Sequence, residues 1–308
     1  MNSMKAIAKK SGRIDDFALM EVPVPRLGEN ELLVRVKAIG VGIHDGYFLP
    51  EHIRYPYPIG IEAAGIIEQT GKSVTRFRVG ERIAFVSSMQ PKGGTWAEFA
   101  AVTDDSLILP IPENMTFEQA AAVPVAGNTA LKALHALDLQ QNETLFIAGA
   151  SGAIGTFAIQ LAKAKGCIVA GSASAHNHEY MQSLGALKTV DYHDADWIQQ
   201  IREWIPGGAD AAMAIQPGTG IESMKILKDG GRVVAVSGDR LPDDRAVSIR
   251  NLAYHVDVTN ELLEMMHGIS EGRFQLFIEQ TYPFSEALSA LQKTTTRRAR
   301  GKLVITGP

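Results

Sequence analysis

Residues 144–155 read Thr144-Leu145-Phe146-Ile147-Ala148-Gly149-Ala150-Ser151-Gly152-Ala153-Ile154-Gly155, a strand, a glycine turn and the start of a helix. The first five residues are apolar and β-prone, the pattern of a strand buried on both faces of a parallel sheet. Beyond the glycines, Ile154, Phe157, Ala158, Leu161 and Ala162 recur at three- and four-residue steps, which predicts a helix over 153–165. Glycine at 152 lets the backbone approach a pyrophosphate. Glycine at 155 lets the helix pack closely on the strand, and the free N–H groups of the helix N-terminus face the phosphates. Glycines at this spacing also occur in ordinary turns; the strand before them and the helix after them make Gly149, Ala150, Ser151, Gly152, Ala153, Ile154 and Gly155 a dinucleotide cradle.

The next strand is expected over 167–171, and its end selects the dinucleotide. Folds that take NADH place an acidic residue there to hold the ribose hydroxyls. This chain continues Ser172-Ala173-Ser174-Ala175-His176-Asn177-His178, with no carboxylate before Glu179. Hydroxyls, an amide and imidazoles leave room for a 2′-phosphate and can hydrogen-bond to it without repelling it. NADPH is therefore the expected cofactor. Ser174 could equally serve as a helix cap.

The chain has 308 residues, 45% hydrophobic and 21% charged, with a formal net charge of −4. That length favours two domains, and the charge argues against a nucleic-acid or anionic-membrane surface. Arg297-Arg298-Ala299-Arg300 reads as a solvated surface turn. The single cysteine, Cys167, excludes an intrachain disulfide and a cysteine-based zinc cluster. Without a signal-like N-terminus or a long apolar window, a soluble, cytoplasmic protein is expected.

Before residue 120 the chain reads as short strands, over 4–8, 31–38, 60–69, 82–86, 95–102 and 107–109, spaced as in a small, partly open barrel. From 116 onward, helices are expected at 117–122 and 127–137. Strands at 144–148, 167–171, 189–192, 210–214 and 232–237 then alternate with helices at 153–165, 176–184, 195–205 and 220–228. Such alternation implies an α/β fold with a doubly wound parallel sheet. A helix at 259–268 precedes a last strand at 301–306 that has no helical partner. The expected domains are 121–260, which binds the dinucleotide, and 1–120 with 261–308.

Specific phrases carry a family resemblance. Val79-Gly80-Glu81-Arg82-Ile83-Ala84, Gly94-Thr95-Trp96-Ala97-Glu98-Phe99 and Ala121-Ala122-Val123-Pro124-Val125-Ala126-Gly127-Asn128-Thr129-Ala130 resemble those of the medium-chain dehydrogenase/reductase superfamily. So do Ser183-Leu184-Gly185-Ala186 with Val190-Asp191-Tyr192, Gly230-Gly231-Arg232-Val233-Val234 and Ala299-Arg300-Gly301-Lys302-Leu303-Val304. The resemblance spans the chain and implies a Rossmann domain with a β-rich GroES-like domain. The superfamily's alcohol dehydrogenases hold zinc where this chain has Gly42, and with a Gly-His-Glu where it has Gly60-Ile61-Glu62. Gly42 and Ile61 supply no ligand, so no metal is expected.

The zinc-free branch is similar to quinone reductases and to NADPH-dependent enone or enal reductases. That implies hydride transfer to a quinone or to the C=C of an α,β-unsaturated carbonyl. An Asn-x-x-Asp-x-Tyr stretch of those relatives corresponds to Gly42-Ile43-His44-Asp45-Gly46-Tyr47, which makes Tyr47 and Asp45 the candidate catalytic residues. Tyr47 could bond the carbonyl oxygen, whereas Asp45 suits a structural hydrogen bond better than acid catalysis. The resemblance places Asn128 and Thr129 near the nicotinamide ribose and Ser237-Gly238 beside its ring. Ser172, Ser174, His176, Asn177 and Tyr192 would surround the adenine and the 2′-phosphate. A homodimer is implied as well. Gly42 and Ala214-Ile215 depart from the pattern, and they leave open an NADPH-binding sensor or structural protein with little turnover.

Relatives often carry Arg or Lys where this chain has His176 and Asn177. A neutral imidazole donates only one hydrogen bond, so NADPH affinity should strengthen from pH 8 to pH 6. A titration giving equal Kd at both pH values would remove His176 from the phosphate site.

Overall fold

The β-prone runs fold as β1 (Ser3–Lys9), β2 (Phe17–Pro23), β3 (Glu31–Val41), β4 (Tyr57–Pro58), β5 (Glu62–Thr70), β6 (Arg82–Val86), β7 (Phe99–Thr103) and β8 (Ile108–Pro110). Helix α1 (Phe117–Ala121) follows, its first turn closed by reciprocal bonds between Thr116 and Gln119. Alternating elements come next: α2 (Pro124–Leu137), β9 (Thr144–Ala148), α3 (Ala153–Ala164), β10 (Ile168–Ser172), α4 (His178–Leu184), β11 (Lys188–Val190), α5 (Trp197–Trp204), β12 (Ala209–Ala214), α6 (Gly220–Met224), β13 (Leu227–Ala235) and β14 (Val247–Arg250). The chain ends with α7 (Thr259–Ser270), β15 (Ile278–Tyr282), α8 (Ala287–Thr295) and β16 (Lys302–Thr306). This computed structural model describes residues 3–87, 90–244 and 246–308. It divides into two units, Met1–Val125 with Thr259–Pro308, and Ala126–Val258.

In the second unit six parallel strands run in the order β11-β10-β9-β12-β13-β14, the doubly wound arrangement expected from the alternating pattern. Phe146 of β9 stacks on Trp197 of α5 at 5.6 Å between ring centroids, inside a cluster with Val190, Ile201 and Ile226. In the first unit a seven-stranded sheet runs β15-β16-β3-β5-β6-β8 with β7 also on β3, beside a smaller β2-β1-β4 sheet. β3 is long enough to serve two partners along one edge. Glu31–Arg35 pairs with β7 and Ala38–Val41 with β16, while β5 takes the other edge.

Several expected elements change. The strand expected over 95–102 begins only at Phe99, because the backbone before it is engaged elsewhere: Trp96 N donates to Ile59 O and Trp96 O accepts from Ile7 N, each at 2.8 Å, and Ala97 forms an isolated bridge with Ala6. The helix expected over 220–228 stops at Met224. Leu227 already pairs with Ala209, and the ladder resumes at Arg232 opposite Ala211, so Gly230-Gly231 fall in a register shift. Helix α2 starts three residues earlier than expected, with Pro124 at its first position, where a missing N–H costs nothing. Strands β2, β4, β14 and β15 and helix α8 were not anticipated.

One buried ion pair closes the first unit. Glu62 opens β5 and is 1% exposed; Lys302 opens β16 and is 5% exposed. Lys302 Nζ donates to Glu62 Oε1, and Val125 N donates to Oε2 at 2.7 Å. The carboxylate thereby joins the C-terminal strand to the barrel and satisfies an N–H that the first turn of α2 leaves without a helical partner. Lys302→Met strands a buried charge and should cost about 3–5 kcal/mol, lowering Tm by roughly 10 °C. Glu62→Gln combined with Lys302→Met should recover much of that loss. Thermal melts of the two variants check both expectations, and an unshifted Lys302→Met melt would refute them.

Candidate active site

Parallel pairing brings five strand ends into one row. Ala148 of β9 lies opposite Ser172 of β10 and Ala214 of β12, Ser172 opposite Val190 of β11, and Ala214 opposite Ala235 of β13. After β9 the chain winds to one side through β10 and β11, and β12 begins the other side. Ligands of open α/β sheets bind beyond the carboxyl ends of the strands at such a reversal. The glycine turn sits there.

Gly149 and Ala150 both donate backbone N–H groups to Ser172 O, at 3.1 and 3.0 Å, which folds the turn over β10. Gly149 has φ +83°, a left-handed conformation costly for a side chain. A Cβ on Gly155 would lie 2.5 Å from Ala150 O, so only glycine lets α3 pack this close. A Cβ on Gly152 would meet nothing nearer than Gly149 O at 3.6 Å. Close packing thus requires Gly155, while Gly152 faces open space. The first helical bond of α3 runs from Thr156 N to Gly152 O, so the N–H groups of Ala153, Ile154 and Gly155 lie in the turn before it. Open space lined by N–H groups fits a pyrophosphate. Ser151 lies half-buried in the same turn.

At the end of β10, Ser172 is buried and Ser174 is half-buried. Ser174 makes no helix-capping bond; its Oγ donates to Tyr192 Oη at 3.4 Å, which brings together two residues eighteen positions apart. His176 is exposed and Asn177 is buried in a single 3-10 turn, Ala175–Asn177, ahead of α4. Sequence reading missed Asp191. Its Oδ2 accepts from Ala175 N at 2.8 Å, and its Oδ1 accepts from His193 N at 2.9 Å. Hydrogen bonding from His193, then from Ala175, holds this carboxyl below its ordinary pKa. A carboxylate therefore does stand beside the 172–177 turn, delivered by β11, with both oxygens engaged. Only its position after β11, the third strand, could have signalled it.

On the other side of the reversal, Ser237 Oγ is a buried hydroxyl with no hydrogen-bond partner among the described residues. Gly238 beside it has φ +79° and open space where a Cβ would point. Asn128 and Thr129 are half-buried in α2. Gln216, also unanticipated, packs against the glycine turn: a Cβ on Gly149 would come within 2.7 Å of its Cγ. Asp239 fixes the neighbouring loop by accepting from Gly218 N at 2.8 Å and Gly220 N at 3.3 Å.

The candidate catalytic pair lies in the first unit, in the loop leaving β3. Asp45 is 1% exposed, and its Oδ2 accepts from Gly42 N at 2.8 Å and Trp96 Nε1 at 3.2 Å. Burial raises its pKa to about 7, opposed by the Gly42 bond and the charge of Lys302. The carboxylate faces the loop backbone and the Trp96 indole, so Asp45 holds the loop in shape. Tyr47 is 59% exposed and free to meet a ligand, its ring edge-on to His44 at 5.3 Å. Ile61 is a buried core side chain, and among the described residues no three His, Cys, Asp or Glu side chains are grouped to hold a metal ion. The donor set does not fit zinc.

Residues 28–113 match the alcohol dehydrogenase GroES-like domain family, and residues 184–305 match a family described as zinc-binding dehydrogenase. The chain is 30% identical to a quinone oxidoreductase of Mus musculus over 291 residues, 87% of this chain and 86% of that protein. It is 28% identical to a 2-methylene-furan-3-one reductase of Solanum lycopersicum over 312 residues, 96% of this chain and 76% of that protein. The structure of the quinone oxidoreductase from Coxiella burnetii superposes with a TM-score of 0.87 at 26% identity, covering 99% and 100% of the two chains. The chain belongs to the medium-chain dehydrogenase/reductase superfamily, as an oxidoreductase of the quinone oxidoreductase type.

Proposed function

We propose that this protein is a zinc-independent, NADPH-dependent reductase of quinones or of the C=C bond of α,β-unsaturated carbonyls. The observation that carries the proposal is the open glycine turn at the sheet reversal, roomy at Gly152 and closed to side chains at Gly155. A bound reduced nicotinamide supplies the hydride. The N–H groups of Ala153, Ile154 and Gly155 bind the pyrophosphate; Ser237 Oγ and the open face of Gly238 receive the nicotinamide end, near Asn128 and Thr129. Ser172, Ser174, His176, Asn177 and Tyr192 surround the adenine and the 2′-phosphate, and Asp191, each of its oxygens accepting from a backbone N–H, braces the turn. Tyr47 donates its hydroxyl to the carbonyl oxygen of the acceptor, on which negative charge grows as hydride arrives. A proton from water completes the hydroquinone or the saturated carbonyl.

Zinc independence is supported by Gly42 and Ile61, which offer no ligand. The likeness to a 2-methylene-furan-3-one reductase supports conjugated enones beside quinones as acceptors. The reading includes a cytoplasmic homodimer with a small-molecule substrate. The outer edge of β14 offers backbone groups to a second copy, and no helix among the described residues is long and apolar enough to cross a membrane.

Purified protein should oxidise NADPH faster than NADH with naphthoquinone or a simple enal, at a rate that a chelator leaves unchanged. Tyr47→Phe should lower kcat about tenfold, the worth of one hydrogen bond gained in the transition state. Tight NADPH binding without turnover of any acceptor would replace this function by the sensor alternative.

Asp45 gives a pH signature. Its pKa is raised in the folded protein, so the stability it contributes is complete below pH ~4, the unfolded range, and is lost as pH rises through about 7. Asp45→Asn keeps an acceptor for Gly42 and Trp96 without the charge. It should melt several degrees above the wild type at pH 8, with the gap closing toward pH 5. A pH-independent gap would contradict the role given to the buried carboxyl.

A further inference from the structure

The antiparallel ladder between β3 and β16 ends with Val41 opposite Leu303. The chain after Val41 and the chain before Lys302 therefore leave the sheet at the same end. The first is the 42–48 loop. The second is the 296–301 turn, which carries Arg297, Arg298 and Arg300.

Each side contributes a different surface. His44 stands edge-on to Tyr47 at 5.3 Å and to Phe48 at 6.2 Å, with Tyr47 59% and Phe48 48% exposed. Three rings thus form an open aromatic cluster that includes the candidate catalytic hydroxyl, with the Tyr47 and Phe48 rings each exposed. Arg297 and Arg298 are exposed and form no ion pair with any described residue. Arg297 adopts φ +57°, a left-handed position that glycine or asparagine would fill at lower cost. Burial lowers the pKa of His44, and the charge of Arg297 adds to that lowering, so the guanidinium acts on the aromatic cluster. The carboxylate within the 42–48 loop, Asp45, is buried and turned toward Gly42 and Trp96. Nothing in that loop neutralises the arginines.

We infer that the 42–48 loop and the Arg297-Arg298 turn form an acceptor subsite selective for planar conjugated carbonyl compounds that carry a fixed negative charge, the rings stacking on the acceptor and the guanidinium groups pairing with its carboxylate or sulfonate. An arginine pairs with such anions in a fork of two hydrogen bonds, and aromatic faces bind planar conjugated rings. The inference rests on the reductase function proposed above and narrows its substrates.

The test compares naphthoquinone with naphthoquinone sulfonate, in the full chain and in Arg297→Gln. The wild type should favour the sulfonate in kcat/KM, and added salt should erode that preference. Arg297→Gln should cut the sulfonate-over-neutral ratio of kcat/KM about tenfold, mainly through KM. A ratio unchanged by the substitution, with both quinones reduced, overturns the subsite and leaves the reductase function standing. Fluorescence titration with naphthalene sulfonate supplies a readout that needs no turnover. Weaker binding by Arg297→Gln supports the subsite even if neither quinone is reduced, an outcome that would remove the reductase function alone. Equal binding by the two proteins overturns the subsite. Circular dichroism melts confirm that the variant is folded, and Phe48→Ala, which should weaken both quinones, separates stacking from charge.

Discussion

The first unit depends on one carboxylate that has left water. Glu62 sits at the start of β5 with its two oxygens assigned to donors from opposite ends of the chain's path: Lys302 from the last strand and Val125 from the point where the unit is exited. A carboxylate without such partners would be expelled from the interior, so the position is tenable only when β16 has closed on β3. That closure also shapes one end of the sheet, because the register that seats Lys302 carries the Arg297–Arg300 turn to the same end as the 42–48 loop. A residue buried for stability thus decides which side chains meet at the surface.

Asp45, the second buried carboxylate, is handled differently. It has hydrogen bonds from Gly42 and Trp96 but no ion pair with any described residue, and its ionisation is pushed up toward neutrality by burial. Trp96 in turn lies wholly buried, so the loop carrying Tyr47 is tied to the barrel interior through one indole. The second unit works by backbone instead. Glycine turns and strand ends in register supply N–H groups and open space, and very few charged side chains are needed, since binding a nicotinamide is mostly a matter of orientation.

Much of this was legible in residues 144–155 alone. An apolar pentapeptide, a glycine turn and a helical repeat have one common physical solution, and the observed β9, turn and α3 match it to within a residue. The alternation of strands and helices through Ala214 was equally clear, because local periodicity reports local structure. What failed was non-local. β14, half-exposed and short, has no periodic signature, and β13 continues through two glycines because Leu227 and Arg232 on either side pair with β12 and Gly231 pairs with β14, not because its own residues favour a strand. Trp96 looks like strand because its neighbours are β-prone, yet its backbone bonds Ile59 and Ile7 instead of extending the β7 ladder on β3.

The same division runs through the site. Residue identity alone carried the family phrases, the strand, glycine turn and helix of 144–164, and the presence at 42 and 61 of a glycine and an isoleucine, neither of which can ligate a metal. Only tertiary structure decided that Asp45 faces inward, that Asp191 stands beside Ala175, that Ser174 reaches Tyr192, and that Ser237 leaves its hydroxyl unpartnered. Each of these depends on strands distant in sequence being brought side by side, and on burial, which turns the same carboxyl group into an ion-pair anchor at Glu62 and a near-neutral hydrogen-bonding brace at Asp45. Residue type fixes what a side chain can do; its dielectric surroundings and its partners across the sheet fix which of those things it does.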